Sequence, residues 1–255
     1  MRLSVIVITR NEQANIGECL KSVDFADEII VLDNASTDNT VEIARSLGAQ
    51  VHVTTDWPGF GPQKNRALAM ATGDWVLSID ADERVTPALR QEILRAIEDS
   101  SGVNCFAVSR SSSFCGRFIQ HSGWSPDYVD RLFKNGTAFF SDDLVHERLV
   151  YESGKKRLSG LLLHFSFRDF SDVLRKVDQY SSASAQQAFN QGRRATVFTA
   201  VGHGFWAFLR VYLFKLGFLD GSHGLALAIS TAEGSYYRYL KLWQLTYSVS
   251  SRSQK

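Results

Sequence analysis

Trp75-Val76-Leu77-Ser78-Ile79-Asp80-Ala81-Asp82-Glu83 is an apolar run that ends in two aspartates separated by one small residue. A short apolar run predicts a buried strand, and side chains just past its end lie at the rim of an α/β sheet, where ligands bind. Because side chains alternate along an extended segment, we expect Asp80 and Asp82 to face one site. Two carboxylates suit Mg²⁺ or Mn²⁺, which would hold the diphosphate of an activated substrate. The alternative is a solvated acidic turn, because D-x-D is a common pattern.

Strands and helices alternate before this stretch. The pattern predicts strands over 3–8, 28–32, 51–53 and 75–79. Helical spacing of apolar residues predicts a helix in each interval, the first with Asn11 as its N-cap. Such an alternation is typical of a mostly parallel sheet flanked by helices, with ligands at the carboxyl ends of its strands. We therefore expect Asp33, which follows the second strand, to lie near Asp82.

After the aspartates the pattern changes. Thr86 and Pro87 predict the start of a further helix. Residues 103–140 contain short strand-like pieces separated by Gly, Ser and Pro, where an acceptor site can form. A strand over 161–164 and a long helix from about 169 to 191 complete this part.

Composition narrows the class of protein. The 255 residues fit one large domain, or one domain with a substantial appendage. The three cysteines have no C-x-x-C spacing, so they indicate neither a disulfide framework nor a structural zinc site. The N-terminal apolar run is too short for a signal peptide, and we expect a reducing cytoplasmic location.

Charge is divided unevenly along the chain. Residues 1–154 contain 14 basic and 22 acidic side chains, a net charge of −8, whereas residues 155–255 contain 14 basic and 5 acidic ones, a net charge of +9. A basic C-terminal part indicates an anionic partner, such as a membrane surface or a phosphorylated substrate. No nucleic-acid partner is expected, because the excess is scattered and no nucleic-acid-binding signature is present.

The segment 195–219 is rich in aromatic residues interleaved with Arg210 and Lys215. Its uncharged part, 195–209, is shorter than the roughly 20 residues that span a bilayer, so spanning is not expected. Aromatic and cationic side chains on one helix favour a segment lying at a membrane surface. The alternative is a core helix of a small C-terminal subdomain.

Three motifs resemble those of the family 2 glycosyltransferases. They are Val5-Ile6-Val7-Ile8-Thr9-Arg10-Asn11-Glu12, Ile30-Val31-Leu32-Asp33-Asn34-Ala35-Ser36-Thr37-Asp38 and Ile79-Asp80-Ala81-Asp82-Glu83. The resemblance spans residues 1 to about 190 and implies an inverting enzyme with the GT-A fold. The Pro58-to-Pro62 loop, Val145-His146-Glu147 and Gly217-Phe218-Leu219-Asp220-Gly221 resemble the lipopolysaccharide core β-1,4-glucosyltransferase branch.

The resemblance implies which residues bind the donor. Thr9, Glu12 and Asp33 would line the nucleoside pocket, and an Asx turn is the alternative role for Asp33. Asn34 stands where many relatives carry a second aspartate. Lys64 would neutralise the diphosphate near a helix N-terminus. Asp80 would contact the ribose or a metal-bound water.

The same resemblance indicates which residues would bind a metal ion and which would close over the bound donor. Asp82 would bind the metal, and His164 is a further candidate ligand, although a lone histidine is more often a hydrogen-bonded core residue. Lys176 and Tyr180, four residues apart on one helix face, would close over the diphosphate. Ordinary helix packing is their alternative.

Inverting transfer requires a carboxylate that deprotonates the acceptor hydroxyl. Glu147 is the candidate base and Asp143 the second candidate, each with a surface carboxylate as the alternative. His146 would orient the base or contact the acceptor.

We therefore expect a GT-A domain over 1–190, with a nucleotide-binding half over 1–100 and an acceptor and catalytic half over 101–190, followed by a helical C-terminal extension over 191–255. The predicted reaction is metal-dependent transfer of glucose from UDP-glucose to a membrane-linked glycan such as the lipopolysaccharide core, at the cytosolic face of the inner membrane. Two alternatives are an aspartyl-phosphate-type phosphatase, which also places D-x-D after a strand, and a membrane-surface scaffold without catalysis.

Overall fold

The computed structural model describes residues 1–100, 102–142, 147–152 and 154–252, with side chains to residue 247. The chain divides into two compact units, Met1–Ser111 with Asp127–His164 and Ser112–Pro126 with Phe165–Lys255. This division differs from the predicted boundary at residue 190. The helix Phe170–Asn190 falls in the second unit because it packs against the C-terminal helix Gly221–Arg252.

The first part of the chain alternates strands and helices, as the sequence predicts. The strands are β1 Leu3–Thr9, β2 Glu28–Asp33, β3 Gln50–Val53 and β4 Trp75–Asp80. The helices are α1 Ile16–Ser22, α2 Thr40–Ser46 and α3 Phe60–Leu68. Strands β1, β2 and β4 are buried along almost their whole length, because helices cover both faces of a parallel sheet. The predicted α/β class is confirmed.

The remaining elements contribute antiparallel strands. They are β5 Glu83–Val85, α4 Pro87–Glu98, β6 Cys105–Phe114, β7 Arg117–Phe118, β8 Asp127–Lys134, β9 Ala138–Phe140, β10 Leu149–Tyr151 and β11 Lys155–Phe167. Among the described residues, nine strands form one sheet in the order β3-β2-β1-β4-β8-β6-β11-β5, with β7 beside β6. Strands β9 and β10 form a separate antiparallel pair.

The register of the parallel strands aligns their carboxyl ends. Thr9 of β1 lies opposite Asp33 of β2, and Ile8 lies opposite Asp80 of β4. Strand β8 runs antiparallel beside β4. The polar residues that end three parallel strands therefore meet at one edge of the sheet, as expected for an α/β sheet.

One predicted helix start is wrong. Helix α1 begins at Ile16 after Asn15, and Asn11 instead has a φ of 55°, a left-handed conformation that asparagine tolerates better than most residues. The Asn11 side-chain oxygen accepts a hydrogen bond from the Thr37 amide at 2.8 Å, so it ties two loops together. The predicted start of α4 is confirmed, because the Thr86 hydroxyl accepts from the Leu89 amide and Pro87 follows.

The second unit is mainly helical. Its elements are α5 Phe170–Asn190, α6 Val197–Leu209, a π-helical turn Arg210–Phe214, a 3-10 turn Gly217–Asp220 and α7 Gly221–Arg252. The helical stretch Val197–Phe214 is long and apolar enough to cross a membrane by length and composition, and 22% of it is buried. The uncharged run of the sequence ends at Leu209, but the helical conformation continues past the charged Arg210.

Asp220 holds the Gly217–Gly221 motif in place. Its buried carboxylate accepts hydrogen bonds from the amides of Gln120 and His121 and from the Ser122 hydroxyl. A Cβ atom on Gly217 would lie 2.7 Å from the Val211 carbonyl oxygen, so the chain approaches too closely for any other residue. This motif is therefore explained by packing within the second unit.

Candidate active site

The ends of β1 and β2 carry two of the predicted nucleoside-binding residues. Thr9 is buried, and its hydroxyl oxygen has no hydrogen-bond partner among the described residues. Asp33 is fully buried and accepts hydrogen bonds from the amide of Ser36, at 2.8 Å, and from its hydroxyl. This turn is the alternative role considered for Asp33. A carboxylate offers about four lone-pair sites, so the turn leaves capacity for a ligand.

Asn34 and Glu12 are engaged in the loops beside these residues. The Asn34 side-chain Nδ2 donates to the Asp56 backbone carbonyl at 2.9 Å, so it anchors the segment after β3. Glu12 Oε2 accepts from the Asn15 side chain at 2.8 Å, just before α1. Glu12 thus lies at the predicted edge of the sheet, where it shapes the loop that follows β1.

Lys64, in α3, joins two of the predicted site residues. Its side chain is 5% exposed, and its ammonium lies 2.8 Å from Glu147 Oε1 and 3.2 Å from Asp80 Oδ1. The structure therefore brings the candidate base and the first aspartate of the D-x-D stretch to one cation. Arg66, two residues further along α3, is paired with Asp56 through both its Nη atoms.

Gly61 explains how Glu147 approaches α3. A Cβ atom on Gly61 would lie 1.9 Å from the Ser141 carbonyl oxygen and 3.5 Å from Glu147 Cβ. Only glycine therefore allows the segment after β9 to lie against the first turn of the helix. Asp143 and His146, the other candidates from this segment, lie outside the described residues.

Arg131 contacts the candidate site although no sequence motif indicates it. From β8, its Nη2 lies 2.5 Å from Asp80 Oδ2 and 2.6 Å from Oε1 of the fully buried Glu83. Glu83 Oε2 in turn accepts from the Asp80 amide at 3.0 Å. The only local signal is that Arg131 directly precedes the apolar pair Leu132-Phe133. It is a weak signal, because the strand contains other charged residues, although an arginine is seldom buried without a partner.

The surroundings shift the pKa values of the Asp80 and Glu83 carboxyl groups in opposite directions. Burial alone would raise the pKa of Asp80, but the Arg131 guanidinium and the Lys64 ammonium outweigh burial and hold that pKa well below its usual range. Burial also raises the pKa of Glu83, and there Arg131 opposes it without reversing the direction. The environment therefore keeps Asp80 ionised.

Asp82 has different neighbours from Asp80. Strand β4 ends at Asp80 and β5 begins at Glu83, so the alternation of an extended strand does not continue to Asp82. Asp82 Oδ2 lies 3.4 Å from Nε2 of His164, which β11 carries opposite Glu83. The two predicted metal ligands are thus adjacent and partly exposed.

This pair fits a divalent cation that is shared with a substrate. No group of three potential ligands from His, Cys, Asp and Glu occurs among the described residues. Mg²⁺ and related cations are commonly held by one or two carboxylates together with substrate phosphates. Asp82 and His164 would supply the protein ligands in such an arrangement.

Lys176 and Tyr180 lie on α5 in the second unit. The Lys176 ammonium donates to the Ser166 carbonyl at 2.9 Å and lies 4.5 Å from the centre of the Phe167 ring. Tyr180 is exposed, and both residues line one cavity of this unit. Their role in closing over a diphosphate stays a prediction.

Comparison with known proteins gives the family. The family model described as glycosyl transferase family 2 matches residues 4–181. An uncharacterized glycosyltransferase of Rickettsia prowazekii is 32% identical over 96% of this chain and 88% of its own length. The lipopolysaccharide core biosynthesis glycosyltransferase LpsC of Rhizobium meliloti is 30% identical over 93% of each chain.

Solved structures resemble the chain more weakly. Glucosyl-3-phosphoglycerate synthase of Mycobacterium tuberculosis, in complex with Mn²⁺, UDP and glucosyl-3-phosphoglycerate, has a TM-score of 0.38 and 29% identity over 44% of each chain. S. aureus TarS has a TM-score of 0.49 and 20% identity, and the match covers 71% of this chain and 40% of that one.

The family match covers most of the chain, and it includes every strand end that carries a predicted donor-binding residue. The same range contains the strand-end carboxylates and Lys64, whose roles in donor binding stay predictions. The chain belongs to glycosyl transferase family 2 and is a glycosyltransferase that uses a nucleotide sugar.

Proposed function

We propose that the protein transfers glucose from UDP-glucose, with inversion and with the help of Mg²⁺ or Mn²⁺, to a hydroxyl group of a membrane-linked glycan such as the lipopolysaccharide inner core. The observation that carries the proposal is Lys64, whose ammonium contacts both Asp80 and Glu147. Through these two contacts, Lys64 holds the Glu147 carboxylate at the edge of the sheet where donors bind. That carboxylate is suited to deprotonate an acceptor hydroxyl. The name of LpsC supports the choice of acceptor.

Donor binding would use the edge formed by β1, β2 and β4. The buried Thr9 hydroxyl has no partner among the described residues and is available to a nucleoside. Asp33 lies opposite Thr9 in the sheet, and Glu12 is in the loop that follows β1. Lys64 would offer its ammonium to the diphosphate. A cation held by Asp82 and His164 would neutralise the diphosphate charge.

Glu147 would act as the general base. Its carboxylate takes the proton of the acceptor hydroxyl while that oxygen forms a bond to the anomeric carbon. The bond from the anomeric carbon to the diphosphate oxygen breaks, and UDP leaves with the electron pair. The base works on the face opposite the leaving group, as in inverting glycosidases, with a sugar hydroxyl in place of water.

The membrane-linked acceptor is supported by the surface of the second unit. Phe198 is 88% exposed, and Phe205, Trp206 and Phe214 are also exposed on the same helical stretch. The basic residues Arg193, Arg194 and Lys215 lie beside them in the sequence. Aromatic side chains with adjacent cations suit the headgroup region of an anionic membrane. We place the enzyme on the cytosolic face of such a membrane.

The donor is tested by thermal unfolding with a panel of nucleotide sugars, each with and without Mn²⁺, because a ligand that binds only the folded state raises its stability. We expect UDP-glucose with Mn²⁺ to stabilise the protein most. Transfer to lipopolysaccharide lacking outer core sugars is then measured, and NMR assigns the anomeric configuration of the product. A retained configuration contradicts the proposal, as does hydrolysis of a phosphomonoester without sugar transfer.

The membrane part is tested by co-sedimentation with phosphatidylglycerol vesicles. We expect binding in low salt that weakens in high salt, and weaker binding by Phe198→Ser. Phe139→Ser, which changes an exposed aromatic residue of β9, is the matched control and should bind like the parent protein. Equal vesicle binding by the two variants would contradict a membrane surface here.

A further inference from the structure

A cavity of about 400 Å³ lies within the second unit, between α5 and α7. Its volume is in the range of small-molecule sites. An aromatic cluster forms one wall, in which the ring of Phe114 lies 6.1 Å from Trp124 and 5.8 Å from Phe167. This wall suits the apolar part of a ligand.

Three cations line the same cavity, namely Lys176, Arg210 and Arg238. No acidic side chain is among its described lining residues. Lys176 donates to a backbone carbonyl, and the described ion pairs include none of the three. The cavity therefore concentrates positive charge that no described carboxylate neutralises.

Arg238 gives a second, independent indication of a ligand. Its Nε atom is buried and has no hydrogen-bond partner among the described residues. A buried donor without a partner is costly, so its presence points to a group that binds there. An anion accepting from this guanidinium would remove that cost.

One face of α7 supplies hydroxyl groups at helical spacing. Thr231, Ser235 and Arg238 follow one another at intervals of four and three residues, so they share a face. Gly234 lies in the same row, and a Cβ atom there would meet nothing within 4 Å. The Thr231 hydroxyl donates to the Leu227 carbonyl and the Ser235 hydroxyl to the His203 carbonyl. What this row offers to phosphate oxygens is therefore the Arg238 guanidinium together with the free space beside Gly234.

We propose that this cavity binds the phosphate group of an anionic lipid, with the acyl chain or glycerol portion against the aromatic wall. Arginine pairs well with phosphate because its planar donors match two phosphate oxygens. Arg210 belongs to the helical stretch that exposes Phe205, Trp206 and Phe214, so the cationic lining continues into an apolar surface. Soluble phosphates would satisfy the cations but not the aromatic wall. The proposal does not depend on the transferase reaction.

Binding is measured by calorimetry with dihexanoyl phosphatidic acid below its micelle concentration, so that a single lipid molecule is the probe. Inorganic phosphate and dihexanoyl phosphatidylcholine are the comparison ligands. We expect saturable binding of the phosphatidic acid, at least about tenfold tighter than that of inorganic phosphate, because the aromatic wall adds apolar burial. Equal affinity for inorganic phosphate would overturn the lipid as the source of the phosphate. If none of the three ligands binds, the proposal is overturned.

Variants locate the site. Arg238→Gln and Arg210→Gln should each weaken phosphatidic acid binding at least about tenfold, the scale of a lost charge-assisted hydrogen bond. Gly234→Leu should block the cavity without changing charge. Arg175→Gln, which removes an exposed arginine of α5 that does not line the cavity, is the control and should bind like the parent protein. Parent-like binding by all three cavity variants, with unchanged melting temperatures, would overturn the assignment.

Discussion

Nζ of Lys64 lies 2.8 Å from Oε1 of Glu147, although 83 residues separate them in the sequence. The ion pair holds the candidate base against α3, and the same ammonium reaches Asp80. A donor diphosphate that draws on Lys64 would therefore alter the surroundings of the base. With the proposed roles of Lys64 and Glu147, donor binding and acceptor activation would be linked through the Lys64 side chain.

The role of Glu147 is tested with Glu147→Gln. We expect transfer to fall at least about a hundredfold, because general bases contribute on this scale, while UDP-glucose affinity stays close to that of the parent. Glu152→Gln, an exposed carboxylate of the same unit, should leave transfer unchanged. If Glu147→Gln stays active and Asp143→Asn does not, Asp143 is the base.

The metal site is tested with Asp82→Asn. The Mn²⁺ concentration needed to stabilise the protein in the presence of UDP should rise at least about tenfold, since even groups that only orient a metal ligand contribute this much. Asp99→Asn, an exposed aspartate after α4, is the control. Full transfer in excess chelator would show that the reaction needs no cation from solution.

Arg131→Leu should lower the free energy of unfolding by about 3–5 kcal/mol, because it leaves Asp80 and Glu83 without their shared cation. Urea unfolding measures this change. Arg90→Leu removes an exposed pair with Asp24 and should cost about 1 kcal/mol or less. Similar losses in both variants would mean that the buried cluster contributes no more than a surface ion pair.

Gly61→Ala should reduce both stability and transfer, because its Cβ atom would overlap the Ser141 carbonyl oxygen. Gly17→Ala is the matched control in helix α1, where the nearest atom would be 3.5 Å away. Alanine there should stabilise the helix by up to about 1 kcal/mol. Stabilisation by both substitutions would contradict the close approach at Gly61.

The hydrogen bonds that Asp220 accepts imply that the stability of the second unit falls at acid pH. Burial alone would raise the pKa of Asp220, but the hydrogen bonds from Gln120, Ser122 and His121 outweigh it and hold the pKa below its usual range. The carboxylate therefore stabilises the fold above the unfolded-state pKa of about 3.9, and this contribution is lost as the pH falls through the lower folded-state pKa.

Asp220→Asn should accordingly lower the free energy of unfolding at pH 7 by about 1–3 kcal/mol and make the remaining stability less dependent on pH in the acid range. Unfolding curves at several pH values measure both effects. Asp178→Asn removes an exposed carboxylate paired with Lys241 and should change stability by about 1 kcal/mol or less. An unchanged pH dependence in Asp220→Asn would contradict this assignment.

Local signals predicted the elements that depend on local chemistry. The apolar run before Asp80 is a buried strand, and Thr86 with Pro87 starts α4, because burial and capping are decided within a few residues. Asn11 differs from its predicted role because its side chain accepts a hydrogen bond from Thr37 in another loop and does not cap a helix.

Contacts over long sequence separations lay beyond sequence reasoning. Arg131 reaches Asp80 across 51 residues, through an antiparallel strand that inserts beside β4. A pattern of helices and strands does not specify that insertion, because apolar spacing in β8 fits several neighbours equally well. The sequence therefore predicted Asp80 as a site residue but not the arginine that neutralises it.

The placement of β8 beside β4 also orders events during synthesis. Residues 1–100 leave the ribosome first, with Asp80 and Glu83 already in the chain, but Arg131 arrives later from β8. Until then the two carboxyls have no guanidinium to share, so burial of this strand end is unfavourable. The fragment 1–100 should thus remain incompletely packed on its own and become native-like only when the chain extends through Lys134.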